Sequence, residues 1–432
     1  MGLLFLSTLL DFYYGKKVDN PDPKQSKLFL VLSVINNLGI LGIFKYYNFF
    51  ATEFAAGLGL FGLKINPFLL NVALPVGISF YTFHGMSYVF DIYRKRQKPI
   101  DSFVDYAVFV SFFPLLVAGP IERASHLLPQ IQQPRLFNYQ QSVQGCRLIL
   151  WGLFKKVVIA DQLALHVDQI FNEHTAYHPV SLGIGAVAFA FQIYGDFSGY
   201  SDIALGTAKL FGIELLSNFR FPYFSRDVAE FWRRWHISLS SWFRDYLYIP
   251  LGGSKLGKQK AIRNTFIIFL VSGFWHGASW NFIFWGGLHA AFFIPLLIMK
   301  KNRTHVHETV AFDRKMPDFK ELIQMCSTFF LVTIGWIFFR AQNMEQAIDY
   351  VGRLFSFHVS SSNKQIPDAA LIGIFMRISM LILADWWLRR DERNLRMVNP
   401  YFLRWTLYLA AAAWVIYELI LNNHESFLYF QF

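Results

Sequence analysis

His276 is the residue of this sequence whose surroundings pose the clearest chemical question. It lies in GFWHGASW, residues 273–280, between Trp275 and Trp280, with mostly apolar residues before and after. The glycines permit close backbone approach, and the tryptophans supply rigid walls with polar N–H groups that contact a substrate. Burial favours the neutral imidazole that a general base requires. We therefore predict that His276 is a catalytic base. The alternative is a structural histidine hydrogen-bonded to a neighbouring helix.

A second set of polar residues accompanies an aromatic stripe in FWRRWHISLSSWFRDYLYIPLGGS, residues 231–254. The stripe recurs at spacings of three and four, which predicts one amphipathic helix: Trp232, Trp235, Leu239, Trp242, Tyr246 and Ile249. His236 and Ser240 are one turn apart, and Arg244 follows one turn later, so these three share a face. With Arg233 and Asp245 at the border, they predict a polar passage for an anionic substrate. The simpler interpretation is an interfacial helix with snorkelling arginines.

The composition indicates the environment that must position these groups. Of the 432 residues, 54% are hydrophobic and only 16% are charged, against about 25% charged in ordinary soluble domains. Long apolar blocks recur at Leu28–Phe44, Ala107–Ile121, Val180–Tyr194, Asn264–Trp275, Trp280–Met299, Leu371–Trp387 and Trp405–Leu421. Because only helices satisfy their own backbone in lipid, the sequence predicts an all-α, polytopic integral membrane protein.

We expect one membrane domain over residues 1–432, with about nine to eleven transmembrane helices or half-helices. The apolar segments 66–90 and 181–213 contain glycines, and the first also contains prolines. Irregular backbone at membrane depth is tolerated where it lines a cavity. These interruptions therefore predict interfacial and re-entrant helices around an internal tunnel. The amino-terminal segment lacks the features of a signal peptide.

The net charge of +11 comes from basic residues that cluster between the apolar blocks. This is the pattern of cytoplasmic loops, and it disfavours a nucleic-acid surface. Basic clusters flank Asn264–Met299, a segment that would extend about 54 Å as one helix at ~1.5 Å per residue. Two shorter helices, running out and back, suit it better. His276 would then lie near their turn, deep in the membrane.

Several other motifs do not predict a catalytic or binding site. Gly252–Lys258 fits G-x-x-x-x-G-K, but Gln259 stands where a P-loop has Ser or Thr. GDFSG, residues 195–199, has the wrong order for a nucleophile elbow. We interpret two apolar-segment histidines as packing or channel-lining groups and two others as surface residues: His84 and His289, then His305 and His307. Cys146 and Cys326 predict neither a disulfide nor a metal site.

FWRRWHISLSSWFRDYLYIPLGG and SGFWHGASWNFIFWGGLH together resemble the membrane-bound O-acyltransferases. They are most similar to the bacterial branch typified by the membrane subunit of alginate O-acetyltransferase. Further matches are LPVGISFYTFHGMSYVFDIYR, FFPLLVAGPIER, FQIYGDFSGYSDIALG and the terminal FLYFQF, so the resemblance spans nearly the whole chain. Relatives usually begin with additional apolar sequence, so this chain is expected to be short at its amino end.

The resemblance implies acyl transfer inside a membrane-embedded tunnel. His276 corresponds to the family's essential histidine and His236 to its second, supporting one. The expected donor is acetyl-CoA or another cytosolic thioester, with no bound cofactor and no metal. The expected acceptor is an exported polysaccharide or cell-wall glycan, reached directly or through an extracytoplasmic hydrolase-like partner, at the inner, cytoplasmic membrane.

Two alternatives remain at this point. One is the D-alanyl transfer branch, which modifies teichoic acid from a carrier-protein thioester. The other is a transporter that moves a lipid or polymer without chemistry, because intramembrane histidines also suit a proton-coupled carrier.

Overall fold

The structure, a computed structural model, describes residues 2–72, 74–306, 308–356, 364–391, 393, 395 and 400–421. The regular elements of these residues are all helical, with one isolated bridge between Tyr177 and Lys364. The all-α prediction is confirmed. Two features noted in the sequence, His307 and the terminal FLYFQF, lie outside the described residues.

Six helical stretches among the described residues are long and apolar enough to cross a bilayer. They are Pro23–Leu60, Pro179–Leu210, Trp280–Ile298, Phe319–Arg340, Asp368–Leu388 and Tyr401–Leu421. The shortest has 19 residues and extends about 28 Å, which matches the ~30 Å hydrocarbon thickness. The polytopic class is thereby confirmed. The predicted count of nine to eleven included half-helices as well as full spans. The internal tunnel stays a prediction.

The contacts between residues divide the chain into two compact units, and the single membrane domain stays a prediction. The first comprises residues 1–137 with the short stretches 213–216 and 277–279. Its helices are α1 Gly2–Val18, α2 Pro23–Leu41, α3 Tyr47–Leu60, α4 Ile78–Tyr93, α5 Phe103–Ser111 and α6 Ala124–Gln132. A π-helical turn, Gly42–Tyr46, joins α2 to α3.

The predicted irregular segment 66–90 is irregular only in its first half. Residues 63–72, 74 and 75 have no regular structure, and α4 then begins at Ile78. Gly77, just before it, has a φ of 76°, a backbone conformation that residues with side chains rarely adopt. A Cβ at this position would also clash with the carbonyl of Leu116. His84 of α4 is buried, and its Nε2 accepts a hydrogen bond from the Glu122 amide at 3.3 Å.

The second unit comprises residues 138–212, 217–276 and 280–432. Its longer helices are α7 Tyr139–Leu153, α8 Asp161–Asn172, α9 Pro179–Leu210, α12 Lys258–His276, α13 Trp280–Ile298, α14 Phe319–Arg340, α15 Met344–Leu354, α16 Asp368–Leu388 and α17 Tyr401–Leu421. Two short helices lie between α9 and α12: α10 Val228–Arg234 and α11 Ile237–Phe243. Two π-helical turns, Phe154–Ala160 and Arg244–Tyr248, and a 3₁₀ turn, Pro222–Phe224, complete the unit.

The prediction that residues 181–213 are interrupted by their glycines is wrong. They form α9, one unbroken helix of 32 residues that ends at Leu210. Its glycines instead permit contact with α7: a Cβ at Gly199 would meet the carbonyl of Gly152, and one at Gly206 would meet that of Gly145. Small residues at such crossings let two membrane helices approach closely, and the added packing offsets the low helix propensity of glycine.

The carboxylates of α9 are held by two buried lysines of the π-helical turn. Lys156 Nζ lies 2.7 Å from Asp196 and 2.7 Å from Asp161, while Lys155 Nζ lies 2.7 Å from Asp202. Burying an unpaired charge in an apolar environment costs much free energy, whereas paired charges are tolerated. We therefore assign Asp196 and Asp202 a structural role, joining α9 to the turn that follows α7.

The predicted hairpin over Asn264–Met299 is confirmed. α12 ends at His276 and α13 begins at Trp280. A Cβ at Gly273 would overlap the carbonyl of Phe282, and one at Gly286 would overlap that of Phe269. The two helices therefore cross with their backbones in contact, which fixes where α12 ends. The depth of His276 in the bilayer stays a prediction.

The crossing predicts a sharp difference between two glycine substitutions. Gly273→Ala should destabilise the protein by about 1–3 kcal/mol, the usual cost of overpacking, because its Cβ meets backbone that cannot rotate away. Thermal unfolding in detergent, followed by tryptophan fluorescence, measures this. Gly287→Ala is the control, since its Cβ would have only Leu270 Cδ2 at 3.6 Å. Equal midpoints for both variants would contradict the close crossing.

Candidate active site

The single amphipathic helix predicted through the aromatic stripe is wrong, because the chain breaks at His236. α10 ends at Arg234, α11 begins at Ile237, and His236 between them has a left-handed backbone with φ 44° and ψ 54°. A non-glycine residue adopts this conformation rarely, and the strain is tolerated only where surrounding contacts impose it. Here the Ile237 amide donates to the Asn218 carbonyl at 2.9 Å, which fixes the break.

Asn218 also orients the imidazole of His236. Its Oδ1 accepts hydrogen bonds from the Ser238 amide at 3.3 Å and the Ser238 hydroxyl at 2.8 Å, and lies 3.1 Å from His236 Nδ1. An oxygen that already accepts from a backbone N–H is an acceptor, so Nδ1 carries the hydrogen. In the neutral ring, Nε2 then bears the lone pair.

Burial keeps His236 neutral. The residue is 1% exposed, and desolvation lowers the pKa of its imidazole to about 3. Phe197 packs against the ring with a centroid separation of 4.8 Å. The side chain is therefore a neutral, oriented imidazole at ordinary pH rather than a fixed cation.

His276 lies at the carboxyl end of α12 inside an aromatic enclosure. It is 7% exposed, and its ring centroid lies 4.8 Å from Trp275, 5.3 Å from Trp285 and 5.3 Å from Phe339. The His236 ring lies 6.4 Å away, centroid to centroid. The fold thus brings together two histidines that are far apart in the sequence.

Both histidines line one cavity of about 590 Å³ within the second unit. The volume falls in the ~300–1,000 Å³ range of small-molecule sites. Its apolar wall includes Trp232, Phe269 and Phe293, and its polar lining includes three arginines and several hydroxyls: Arg233, Arg244, Arg303, Ser240, Ser241, Thr265, Ser272 and Tyr248. The cavity can accept a ligand with one anionic end and one reactive or apolar end.

Five of the predicted site residues line this cavity: His276, His236, Arg233, Ser240 and Arg244. Their placement agrees with the prediction even though the helix that was to align them is broken. The π-helical turn after α11 carries Arg244 back towards the same lining. The chemical roles of these residues stay predictions.

Three other predicted site residues do not line the cavity: Trp275, Trp280 and Asp245. Trp275 is buried, and its ring centroid lies 6.0 Å from that of His236. It therefore packs near the histidine without lining the cavity. Trp280 begins α13 and is 53% exposed, and its substrate-binding role stays a prediction. Trp285, which also does not line the cavity, packs against the His276 ring.

The arginines at the cavity differ in what holds them. Arg233 donates to two backbone carbonyls, Asn302 at 2.7 Å and His305 at 3.0 Å, so it fastens a loop. Arg244 is largely exposed and pairs with Asp245 at 2.8 Å. Arg303 lies on the loop that Arg233 fastens, and it is exposed. Arg244 and Arg303 therefore present positive charge to an incoming ligand.

Sequence reasoning missed four residues at the site. Thr265 and Ser272 precede His276 by eleven and four residues, which places all three on one face of α12, and that spacing was available in the sequence. Trp285 and Asn218 were not singled out. Asn218 gives no local signal, because it comes from an irregular segment and meets His236 only through the fold.

This geometry suits proton transfer in a dry, aromatic enclosure next to a cationic entrance. A neutral imidazole can accept a proton from a hydroxyl, and the second imidazole can orient a reactant or share the proton. Among the described residues, no group of three or more His, Cys, Asp or Glu side chains is arranged to hold a metal ion. The predicted absence of a metal stays a prediction.

Comparison with known proteins places this site in a family. The profile of MBOAT, the membrane-bound O-acyltransferase family, matches residues 70–339. The chain is 37% identical to the probable alginate O-acetylase AlgI of Pseudomonas putida, over 98% of this chain and 89% of that protein. It is also 37% identical to the peptidoglycan O-acetyltransferase of Helicobacter pylori, over 81% and 68% of the two chains. A teichoic acid D-alanyltransferase of Streptococcus thermophilus is 30% identical over 63% and 69%.

The chain therefore belongs to the membrane-bound O-acyltransferase family. It is a multi-pass membrane protein and an O-acyltransferase. The family resemblance stated from the two histidine motifs is confirmed.

The role of Asn218 predicts a defect without loss of fold. Asn218→Leu removes the acceptor that fixes His236 Nδ1–H, so the ring loses its tautomer and orientation. Acyl transfer should fall about 10- to 100-fold, the usual effect of losing a group that orients an active-site histidine. Initial rates with purified protein measure this.

The control is Asn264→Leu, which removes another buried amide. Its Nδ2 donates to the Leu251 and Gly253 carbonyls and its Oδ1 accepts from Arg263, and none of these partners lines the cavity. If both variants reached the membrane equally and had equal rates, the orienting role of Asn218 would be rejected.

Proposed function

We propose that this enzyme moves an acetyl group from a cytosolic thioester, such as acetyl-CoA, across the inner membrane to an exported polysaccharide or cell-wall glycan. The observation that carries the proposal is the shared cavity, in which His236 and His276 lie beside Arg244 and Arg303. The names of two relatives, an alginate O-acetylase and a peptidoglycan O-acetyltransferase, support acetyl transfer to a polymer of this class.

In the proposed reaction His276 acts as the general base. It takes the proton of an acceptor hydroxyl, and the oxygen forms a bond to the acetyl carbonyl carbon. The carbon–sulfur bond then breaks, and the leaving thiolate takes the proton from the imidazolium. The carboxyl end of α12, where His276 lies, is the negative end of a helix dipole and stabilises the transient positive charge.

His236 is proposed to orient the donor or to share the proton. Its hydrogen bond to Asn218 through Nδ1 leaves Nε2 as the nitrogen that bears the lone pair. The aromatic side chains around His276 exclude water and so suppress hydrolysis of the thioester. The arginines at the lining suit the phosphates of a nucleotide-linked or carrier-linked donor.

The acceptor is proposed to reach His276 from the outer side, either as the polymer itself or as an extracytoplasmic hydrolase-like protein that relays the acetyl group. Transfer of D-alanine to teichoic acid is the second candidate. One observation favours acetyl: the chain is 37% identical to both named acetyl-transferring relatives, over more of its length than the 30% shared with the D-alanyltransferase.

Removing the proposed base should abolish transfer while the protein still assembles. His276→Gln keeps the size of the side chain but cannot take a proton, so acetyl transfer should fall at least about 100-fold, the lower range for general base catalysis. The acetyl content of the exported polymer in cells carrying the variant measures this. His84→Gln, which removes a buried histidine of the first unit, is the matched control. Near-normal acetylation with His276→Gln would reject the assignment.

The donor is tested by supplying acetyl-CoA labelled in the acetyl group to membranes that contain the protein. Label should move into macromolecular material, and Arg244→Gln together with Arg303→Gln should raise the donor concentration needed, because the phosphate contacts are lost. Label that enters vesicles without covalent transfer would favour a transporter instead. Label that moves only from a carrier-protein thioester would favour the D-alanyl type of donor.

A further inference from the structure

The loop that follows α13 forms part of the cavity lining. Asn302, Arg303 and Val306 line the cavity together with His236 and His276. We call residues Asn302–Val306 the strap. The strap has no regular secondary structure of its own, so its position depends on what holds its backbone.

Three arginines of one short segment hold the strap and the Glu308 carbonyl, two residues beyond it. Arg233 donates to the Asn302 and His305 carbonyls, so it grips the strap near both ends. Arg226 Nη2 and Arg234 Nη2 both donate to the Glu308 carbonyl, at 3.1 and 2.7 Å. Each of these hydrogen bonds goes to a backbone carbonyl, so together they fix the path of the chain whatever the side chains of the strap are.

Glu230 organises two of these arginines. Its side chain is fully buried, and its carboxylate accepts from Arg226 Nε at 3.1 Å and Nη2 at 3.0 Å, and from Arg234 Nε at 3.1 Å and Nη2 at 2.8 Å. The Arg226 amide adds a further bond at 2.8 Å. A planar guanidinium bound on two sides is fixed in orientation, which aims its remaining donors at the Glu308 carbonyl.

The carboxylate of Glu230 is ionised in this setting. Burial acts to raise its pKa, but the hydrogen bonds from Arg226 and the positive charges of Arg234 and Arg226 outweigh burial and hold the pKa below its ordinary value. A second carboxylate, Glu321, lies 3.5 Å from Arg226 Nη1 and balances part of the remaining charge. Asp227 caps α10 by accepting from the Glu230 amide at 2.7 Å, so the backbone that carries Glu230 is also fixed.

We propose that Glu230 is a positioning residue for the acyl donor: through Arg226 and Arg234 it fixes the Glu308 carbonyl, two residues beyond the strap, and so holds the strap that carries Arg303 to the cavity lining. Glu230 itself does not line the cavity. The donor-binding part of this proposal rests on the proposed function, whereas the locking of the strap does not. Loss of Glu230 therefore weakens donor binding without disturbing the histidines.

The test uses the full chain in lipid nanodiscs with Glu230→Gln, and with Arg226→Gln as a milder variant that keeps the buried Glu230–Arg234 pair. Amide hydrogen exchange over the strap, the affinity for coenzyme A, and kcat and KM for acetyl-CoA are measured. Strap exchange should rise, and Kd and KM should increase about tenfold, while kcat at saturating donor stays within about twofold, the pattern of lost ground-state binding. Asp349→Asn, which breaks an ion pair with Arg353 on α15, is the control and should change none of these.

Several results would overturn the proposal. Unchanged strap exchange in both variants would reject the lock, and faster exchange with unchanged coenzyme A affinity would reject its link to the donor. A wild-type protein that binds no coenzyme A would also reject that link. If Glu230→Gln fails to assemble, Arg226→Gln decides by the same measurements. If the wild-type protein binds coenzyme A, loses that affinity on substitution, and yet transfers no acetyl group, the proposed function fails and the lock stands.

Discussion

The backbone contact between α12 and α13 is the constraint on which the site depends. Gly273 and Gly286 each lie against a carbonyl of the opposite helix, so the two helices cannot slide without a clash or a void. This crossing fixes His276 at the end of one helix and brings Trp285 of the other against its ring. The aromatic enclosure is therefore a consequence of two residues that have no side chain.

The second requirement is that polar groups inside an apolar protein be oriented by specific partners. His236 depends on Asn218, and the lysines after α7 depend on the carboxylates of α9. The strap depends on Arg233, and the Glu308 carbonyl just beyond it depends on arginines held by Glu230. Each partner compensates the cost of burial at its own position. The cavity can then combine two imidazoles with cationic arginines because each group is held by a different part of the second unit.

Much of this arrangement was predictable from local sequence, and the rest was not, for physical reasons. The α12–α13 hairpin follows from an apolar segment with basic flanks, and His276 follows from its motif. The break at His236 was missed because its left-handed backbone is imposed by Asn218, eighteen residues away, whereas the periodicity of the aromatic residues continues across it. The glycines of α9 were misread since a glycine that breaks a helix and one that permits helix contact look alike in sequence. Trp280 was named because it is near His276 in the chain, whereas Trp285 was not singled out although its ring packs against His276.

The central claim is that a thioester is brought to His276 within the cavity of the second unit. The most direct test is a structure determined by electron microscopy with a ketone analogue of acetyl-CoA, which cannot release its acyl group. The account predicts the analogue's carbonyl carbon about 4 Å or less from the His276 ring, near the distance at which reacting atoms are held, with phosphates next to Arg303. An analogue seated elsewhere, or a His276 ring closed off from it by packed side chains, would contradict the account.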